Sequence, residues 1–129
     1  MLVLFTGKKE GKMRADLHMH SSYSTDGELA PHELIAIAKK SNLDVVTLSD
    51  HESNSGVPEM IAAGEKAGIK VIAGIELNAE VNGDIAHILG LGIDPYSQRF
   101  SHYLEDFLKM ENNISERLIK MFQKEFSIV

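Results

Sequence analysis

The sequence predicts an α/β fold in which parallel strands alternate with helices. Short apolar runs rich in Val, Ile and Leu alternate with helical patterns of about ten residues, and short polar loops separate them. A polar residue able to bind a metal follows the end of each strand-like run. This alternation indicates βαβ units, which form a parallel sheet or barrel with functional side chains at the carboxyl ends of the strands.

Three strands and two helices make up the alternating part of the chain. Pro31 suits the first turn of a helix, where its missing N–H costs nothing. Asn42 is expected to end that helix, and Gly68 suits the position just after the second one. The predicted elements are a strand at 13–19, a helix at 31–41, a strand at 44–48, a helix at 58–67 and a strand at 69–75.

A β-hairpin is predicted around Asn82-Gly83, the dipeptide most typical of a two-residue type I′ turn. Counting outward from the turn places Asn78 opposite His87 and Glu76 opposite Leu89. Glu76 and His87 then become diagonal neighbours on one face of the hairpin, within reach of a shared ligand.

The chain from residue 97 to about residue 126 has a helical pattern of apolar residues. Asn112-Asn113 is expected to interrupt this helix. Residues 126–129, Phe-Ser-Ile-Val, resemble the start of a further strand.

Composition limits the classes of function. Thirteen basic against nineteen acidic residues give a net charge of −6, which argues against broad binding to nucleic-acid backbones. With no cysteine, a metal site must use imidazole and carboxylate ligands, and the cytoplasm is the expected location. The apolar run at residues 1–5 is too short for a signal peptide, and no membrane association is expected.

Histidines and carboxylates gather where the predicted strands end. His18 and His20 are separated by one residue on a strand, so both rings should face the same side and could bind one ion. The same edge of the sheet should receive five further side chains, Asp26, Asp50, His51, Glu76 and His87. A single histidine after a strand is usually a surface or capping residue, and Asp26 in Thr-Asp-Gly also suits an ordinary turn. The combined set favours a site for zinc, manganese or iron.

Four ordered motifs resemble those of the PHP (polymerase and histidinol phosphatase) superfamily. They are Ala-Asp-Leu-His-Met-His at 15–20, Thr-Leu-Ser-Asp-His at 47–51, Gly-Ile-Glu-Leu at 74–77 and His-Ile-Leu-Gly-Leu at 87–91. The branch most resembled is the stand-alone phosphoesterases that act on nucleoside 3′,5′-bisphosphates and short oligoribonucleotides. Asp26-Gly27, the run at 31–34 and Gly-Leu-Gly-Ile-Asp at 90–94 also follow that branch.

The resemblance implies two or three divalent metal ions, Mn, Zn or Fe, and a ligand set drawn from these motifs. His18, His20 and Glu76 would bind a first metal, and Glu76 would bridge to a second metal held also by His87. A third metal would be held by Asp26 and His51, while Asp50 would orient ligands. These seven are the candidate catalytic residues, and all but Asp50 are candidate metal ligands.

The resemblance also implies a distorted (β/α)7 barrel of which this chain is the N-terminal half. Residues 1–12 would be an N-terminal extension, 13–96 the half barrel, and 97–129 the start of a helical insertion. The implied activity is hydrolysis of a phosphate ester on a small nucleotide or short RNA end by a metal-activated water. The alternatives are a truncated, catalytically silent metal-binding fragment, a histidinol-phosphatase-like enzyme and a polymerase-associated PHP domain. An open barrel edge would favour self-association.

Overall fold

The computed structural model describes residues 11–126, and the alternation of strands and helices is as predicted. Most of the predicted extension at 1–12, and residues 127–129 of the predicted last strand, lie outside the described residues. In chain order the elements are β1 (Ala15–Met19), α1 (Pro31–Lys40), β2 (Val45–Leu48), α2 (Val57–Ala67), β3 (Lys70–Val81), β4 (Asp84–Leu91) and α3 (Gln98–Phe126).

The four strands form one sheet in the order β1-β2-β3-β4, which confirms the predicted α/β class. β1, β2 and the first part of β3 are parallel, and Val46 lies beside Asp16 on one side and Val71 on the other. Just beyond β2 an isolated bridge pairs His51 with Glu76. The carboxyl ends of β1 and β2 and the middle of β3 therefore meet at one edge of the sheet.

The hairpin register is confirmed residue by residue. Val81 pairs with Asp84, Asn78 with His87 and Glu76 with Leu89. Asn82 and Gly83 have φ values of 55° and 89°, as a type I′ turn requires. β3 is longer than the predicted strand at 69–75, because it continues without a break from the parallel sheet into the hairpin.

The hydrophobic core lies between the sheet and the helices α1 and α2. Every residue of the central strand β2 is buried, and Val46 and Leu48 belong to the core cluster. The helices contribute the core residues Leu34, Ile35, Ala38, Val57 and Met60. Gly68 ends α2 with a φ of 69°, as predicted.

Residues up to Pro95 form one compact unit, and residues from Tyr96 form a second. α3 makes up most of the second unit and runs for 29 residues. The predicted interruption at Asn112-Asn113 is wrong, because asparagine lowers helix propensity only modestly and helix-forming residues flank the pair. Across residues 11–126, the helices fall short of the length and apolar character that a membrane crossing requires.

Candidate metal centre

His18 and His20 reach the edge of the sheet from β1 and from the residue just after it. The pairing of β1 with β2 shifts between Asp16 and Met19, and Asp16 accepts a hydrogen bond from the His18 N–H at 3.2 Å. Both imidazoles face Glu76 across the sheet. Their Nε2 atoms lie 2.8 Å and 3.0 Å from the same carboxylate oxygen, Oε2.

Glu76 lies at the centre of the candidate site. Its side chain is only 4% exposed, and its second oxygen, Oε1, is 3.0 Å from Nδ1 of His87 on the opposite hairpin strand. The Nε2 atom of His51 lies 3.7 Å from Oε2. One buried carboxylate thus meets imidazoles from β1, from the end of β2 and from β4.

The loop after β1 brings Asp26 to the other side of this ring of histidines. Asp26 lies 3.2 Å from Nδ1 of His20 and 3.6 Å from Nε2 of His51. The Ser24 hydroxyl donates to Asp26 at 2.5 Å and accepts a hydrogen bond from the His51 N–H at 3.2 Å. A side chain at Gly27 would overlap the backbone of Ser21, so glycine is needed for the loop to fold this tightly.

Six side chains therefore form three overlapping groups in which the potential ligand atoms lie within 4.8 Å of one another. The groups share Glu76, His20 and His51. They are His18–His20–Glu76, His20–Asp26–His51 and His51–Glu76–His87. They include all six predicted ligands, with His20, His51 and Glu76 each present in two groups.

The donor set fits divalent metals. Imidazole and carboxylate together suit zinc, manganese and iron, and no thiolate is present. Nδ1 of His51 is buried and has no hydrogen-bond partner among residues 11–126. The His51 nitrogen that faces the carboxylates is Nε2, which lies 3.6 Å from Asp26 and 3.7 Å from Glu76, so a cation in these groups would bind Nε2 and would not contact Nδ1.

The two carboxylates in the groups favour their ionised forms. Burial raises the pKa of Glu76, but the hydrogen bond and charge of His18, with the charges of His51 and His20, outweigh it, so that the net pKa is lowered. The hydrogen bond from Ser24 is the main cause that lowers the pKa of Asp26, although desolvation opposes it. Ionised carboxylates are the form that binds a cation.

Asp50 differs from the other predicted site residues. It is fully buried and belongs to none of the three groups. Its two oxygens accept hydrogen bonds from the N–H and hydroxyl of Ser21, at 2.6 Å and 2.7 Å. Burial raises the pKa of Asp50, and the Ser21 hydrogen bonds oppose the shift only in part. Asp50 thus holds the start of the loop that carries Asp26.

Sequence reasoning missed two polar residues at this edge, Ser24 and Glu52. Ser24 contacts Asp26 and the backbone of His51, and Glu52 accepts a hydrogen bond from the Asn78 N–H. Neither stands out in the sequence, because the contacts with His51 and Asn78 form only when distant segments meet. The remaining histidines, His32 and His102, lie outside the groups, and His32 pairs with Glu59 at 2.6 Å.

Comparison with protein families agrees with this geometry. A family model described as PHP domain matches residues 16–127. The chain belongs to the PHP family. The sheet and the helices that pack on it correspond to part of the PHP barrel, so the fold implied by the motifs is confirmed.

The PHP relatives include enzymes of phosphate-ester chemistry. A 5′-3′ exoribonuclease of Haemophilus influenzae is 36% identical over 90 residues, which are 70% of this chain and 32% of that protein. A 3′,5′-nucleoside bisphosphate phosphatase of Chromobacterium violaceum is 40% identical over 80 residues, 62% of this chain and 28% of that protein.

Among solved PHP-like structures, one is titled a putative metal-dependent phosphoesterase from Bifidobacterium adolescentis. It has a TM-score of 0.74 and 25% identity, covering 94% of this chain and 42% of that one. The match spans about a third of the length of each of the two curated relatives described above.

Proposed function

We propose that this PHP chain contributes the metal centre of a phosphoesterase that hydrolyses a phosphate ester of a small nucleotide or short oligoribonucleotide. The observation that carries the proposal is the buried Glu76 carboxylate, whose oxygens lie within 3.0 Å of His18, His20 and His87. The names of the two curated relatives support the substrate class, since one is an exoribonuclease and the other a nucleoside bisphosphate phosphatase.

Each ligand group would hold a divalent ion, with Glu76, His20 and His51 shared between neighbouring groups. Bound ions would lower the pKa of a water molecule, and their positive charge would neutralise the negative charge of the phosphate. Asp26, whose side chain is 52% exposed, would present its ionised carboxylate at the solvent side of the site. Glu76, whose lowered pKa favours the ionised form, adds negative charge that attracts cations.

The test is metal content by elemental analysis together with hydrolysis of a nucleoside 3′,5′-bisphosphate, with and without added manganese. In His18→Ala the Zn²⁺ affinity, measured by competition with a chelator, should fall by more than about 100-fold, beyond the loss typical of residues that only contact a ligand. His32→Ala is the matched control, because His32 is exposed and lies outside the groups, and it should keep wild-type metal content. A wild-type chain without metal and without turnover would contradict the proposal.

A second candidate is a metal-binding fragment without catalysis. It is favoured by the small share of the curated relatives that this chain spans, 28–32% of their length. Among residues 11–126 no ligand group includes a residue after His87. Bound metal without turnover of the bisphosphate would select this candidate.

Self-association would cover the two end strands of the sheet. β1 and β4 stand at the ends of the strand order, and β4 exposes Ile85, Ile88, Leu89 and Leu91. An unpaired strand with apolar side chains is a template for pairing with another copy. Light scattering should show a mass that rises with concentration, and Ile85→Lys should reduce it. A wild-type mass that stays monomeric would exclude self-association.

The cytoplasm remains the proposed location, since a chain without cysteine suits a reducing compartment.

A further inference from the structure

Two buried carboxylates flank His51 in the segment Asp50-His51-Glu52. Asp50 is fully buried and Glu52 is 6% exposed, yet neither belongs to a ligand group. Burying a carboxylate is unfavourable unless it has hydrogen-bond partners. The partner of Asp50 is the loop that carries Asp26, whereas Glu52 points to the opposite neighbour, β3.

Glu52 attaches this segment to the strand that carries Glu76. Its Oε1 accepts a hydrogen bond from the Asn78 N–H at 2.7 Å, and its own N–H donates to the Glu76 carbonyl at 2.9 Å. Asn78 pairs directly with His87 across the hairpin. One side chain therefore fixes β3 at the residue that faces His87.

The backbone of Glu52 also adopts an unusual conformation. Its φ is 46°, in the left-handed region that residues with a side chain seldom adopt. Such conformations persist where the surrounding contacts determine them. Here the contacts are the hydrogen bonds to Glu76 and Asn78.

We propose that Glu52 is a positioning residue that sets Glu76 and His87 at binding distance from His51. The inference rests on the proposed function, since it takes the His51–Glu76–His87 group to bind a divalent cation. Residues that orient metal ligands typically change metal affinity by about 10–100-fold when they are replaced.

Zn²⁺ binding by competition with a chromophoric chelator tests the proposal in Glu52→Ala and Glu52→Gln. Gln keeps the oxygen that accepts the Asn78 hydrogen bond, whereas Ala removes it. Asp44→Ala is the matched control, because Asp44 also accepts a backbone hydrogen bond across strands, from Arg14 at 2.9 Å, but outside the ligand groups. Amide hydrogen exchange at Asn78 in the metal-free chain provides a second measurement.

Glu52→Ala should bind Zn²⁺ at least about tenfold more weakly, while Glu52→Gln and Asp44→Ala stay within about threefold of wild type. The Asn78 amide should exchange faster in Glu52→Ala than in wild type or Asp44→Ala. The proposal is overturned if Glu52→Ala binds Zn²⁺ normally, if Gln restores nothing, or if Asp44→Ala loses as much affinity. If the wild-type chain binds no Zn²⁺, the proposed function fails, and exchange at Asn78 alone decides whether Glu52 positions the strand.

Discussion

At Glu76 a single buried carboxylate faces imidazoles from three strands or strand ends. Ring nitrogens of His18, His20 and His87 lie within 3.0 Å of its two oxygens. In the proposed metal centre the same carboxylate would be a ligand, and a carboxylate binds a cation in its ionised form. The protonation of Glu76 thus links the stability of the metal-free chain to the proposed metal binding.

Glu76→Gln should make the stability of the metal-free chain less sensitive to acid. The pKa of Glu76 is lowered below its ordinary value of 4.5, so the unfolded chain binds the proton more readily than the folded one. Its stabilising contribution is present above pH 4.5 and is lost as the pH falls through the folded-state pKa. Urea unfolding in a chelating buffer from about pH 5 to about pH 3 measures this slope.

The control for this prediction is Glu65→Gln, at an exposed position on α2 outside the ligand groups. It should leave the slope of unfolding free energy against pH as it is in wild type. Equal slopes for wild type and Glu76→Gln would contradict the assignment of the acid sensitivity to Glu76.

The positions of individual candidate ligands could be predicted where a strand period or a turn dictates their place. His18 and His20 follow from alternation along a strand, and His87 follows from the Asn82-Gly83 turn. The roles of Ser24 and Glu52 could not be predicted in the same way. Ser24 also contacts the His51 N–H 27 residues away, and Glu52 contacts the Asn78 N–H 26 residues away, across strands whose relative positions local patterns do not specify.

Among the elements, the loop from Ser21 to Gly27 depends most on close packing. Asp50 holds its first residue, and Ser24 holds Asp26 near its end. The Ser24 N–H donates to the Ser21 carbonyl, and the Gly27 N–H to that of Ser24, so the loop closes on itself. Gly27 lies against the backbone of Ser21.

Gly27→Ala should force this loop open and weaken the group that contains Asp26. The added methyl would overlap the Ser21 carbonyl and its amide nitrogen, which are backbone atoms that cannot rotate away. Overpacking of this kind costs about 1–3 kcal/mol of unfolding free energy. Calorimetric titration with Zn²⁺ should show weaker binding to, or loss of, the His20–Asp26–His51 group.

Gly90→Ala serves as the comparison for this element. Its methyl would meet Cγ2 of Ile75 at 3.1 Å, the end of a side chain that can adjust. Gly90→Ala should therefore lower the free energy of unfolding less than Gly27→Ala does, and it should leave Zn²⁺ binding intact. A smaller effect for Gly27→Ala than for Gly90→Ala would show that the loop is not tightly constrained.

Element boundaries were predictable where Pro, Gly or Asn-Gly marks them. α1 begins at Pro31, α2 ends before Gly68, and the hairpin turns at Asn82-Gly83. The predicted interruption of α3 gave too much weight to two asparagines, whose helix propensity is well above that of proline. The end of β3 was missed because strand continuation into a hairpin depends on its partner β4.

At the scale of the whole molecule, the packed core and the ligands lie in the same unit, which ends at Pro95. β2 is central to both, because its side chains enter the core and its carboxyl end leads to His51. The site therefore depends on core packing for the relative placement of β1, β2 and β3.

Leu48→Ala should destabilise the chain by about 2–5 kcal/mol, since it removes buried methyl groups and leaves a cavity. Leu48 is fully buried in the core cluster. Leu17→Ala is the matched control, because Leu17 in β1 is 41% exposed and should cost much less. Urea unfolding monitored by circular dichroism measures the free energy of unfolding of both variants. A comparable decrease in the two variants would contradict the assignment of Leu48 to the core.

The strands occur in the sheet in the order in which they are synthesised, and the six candidate ligands fall between His18 and His87. Contacts between consecutive elements close short loops and form early in folding. A nascent chain that has left the ribosome as far as His87 already carries every one of these ligands. A cation bound to these ligands would hold the strands that carry them together, so its free energy of binding would add to the free energy of folding of this unit.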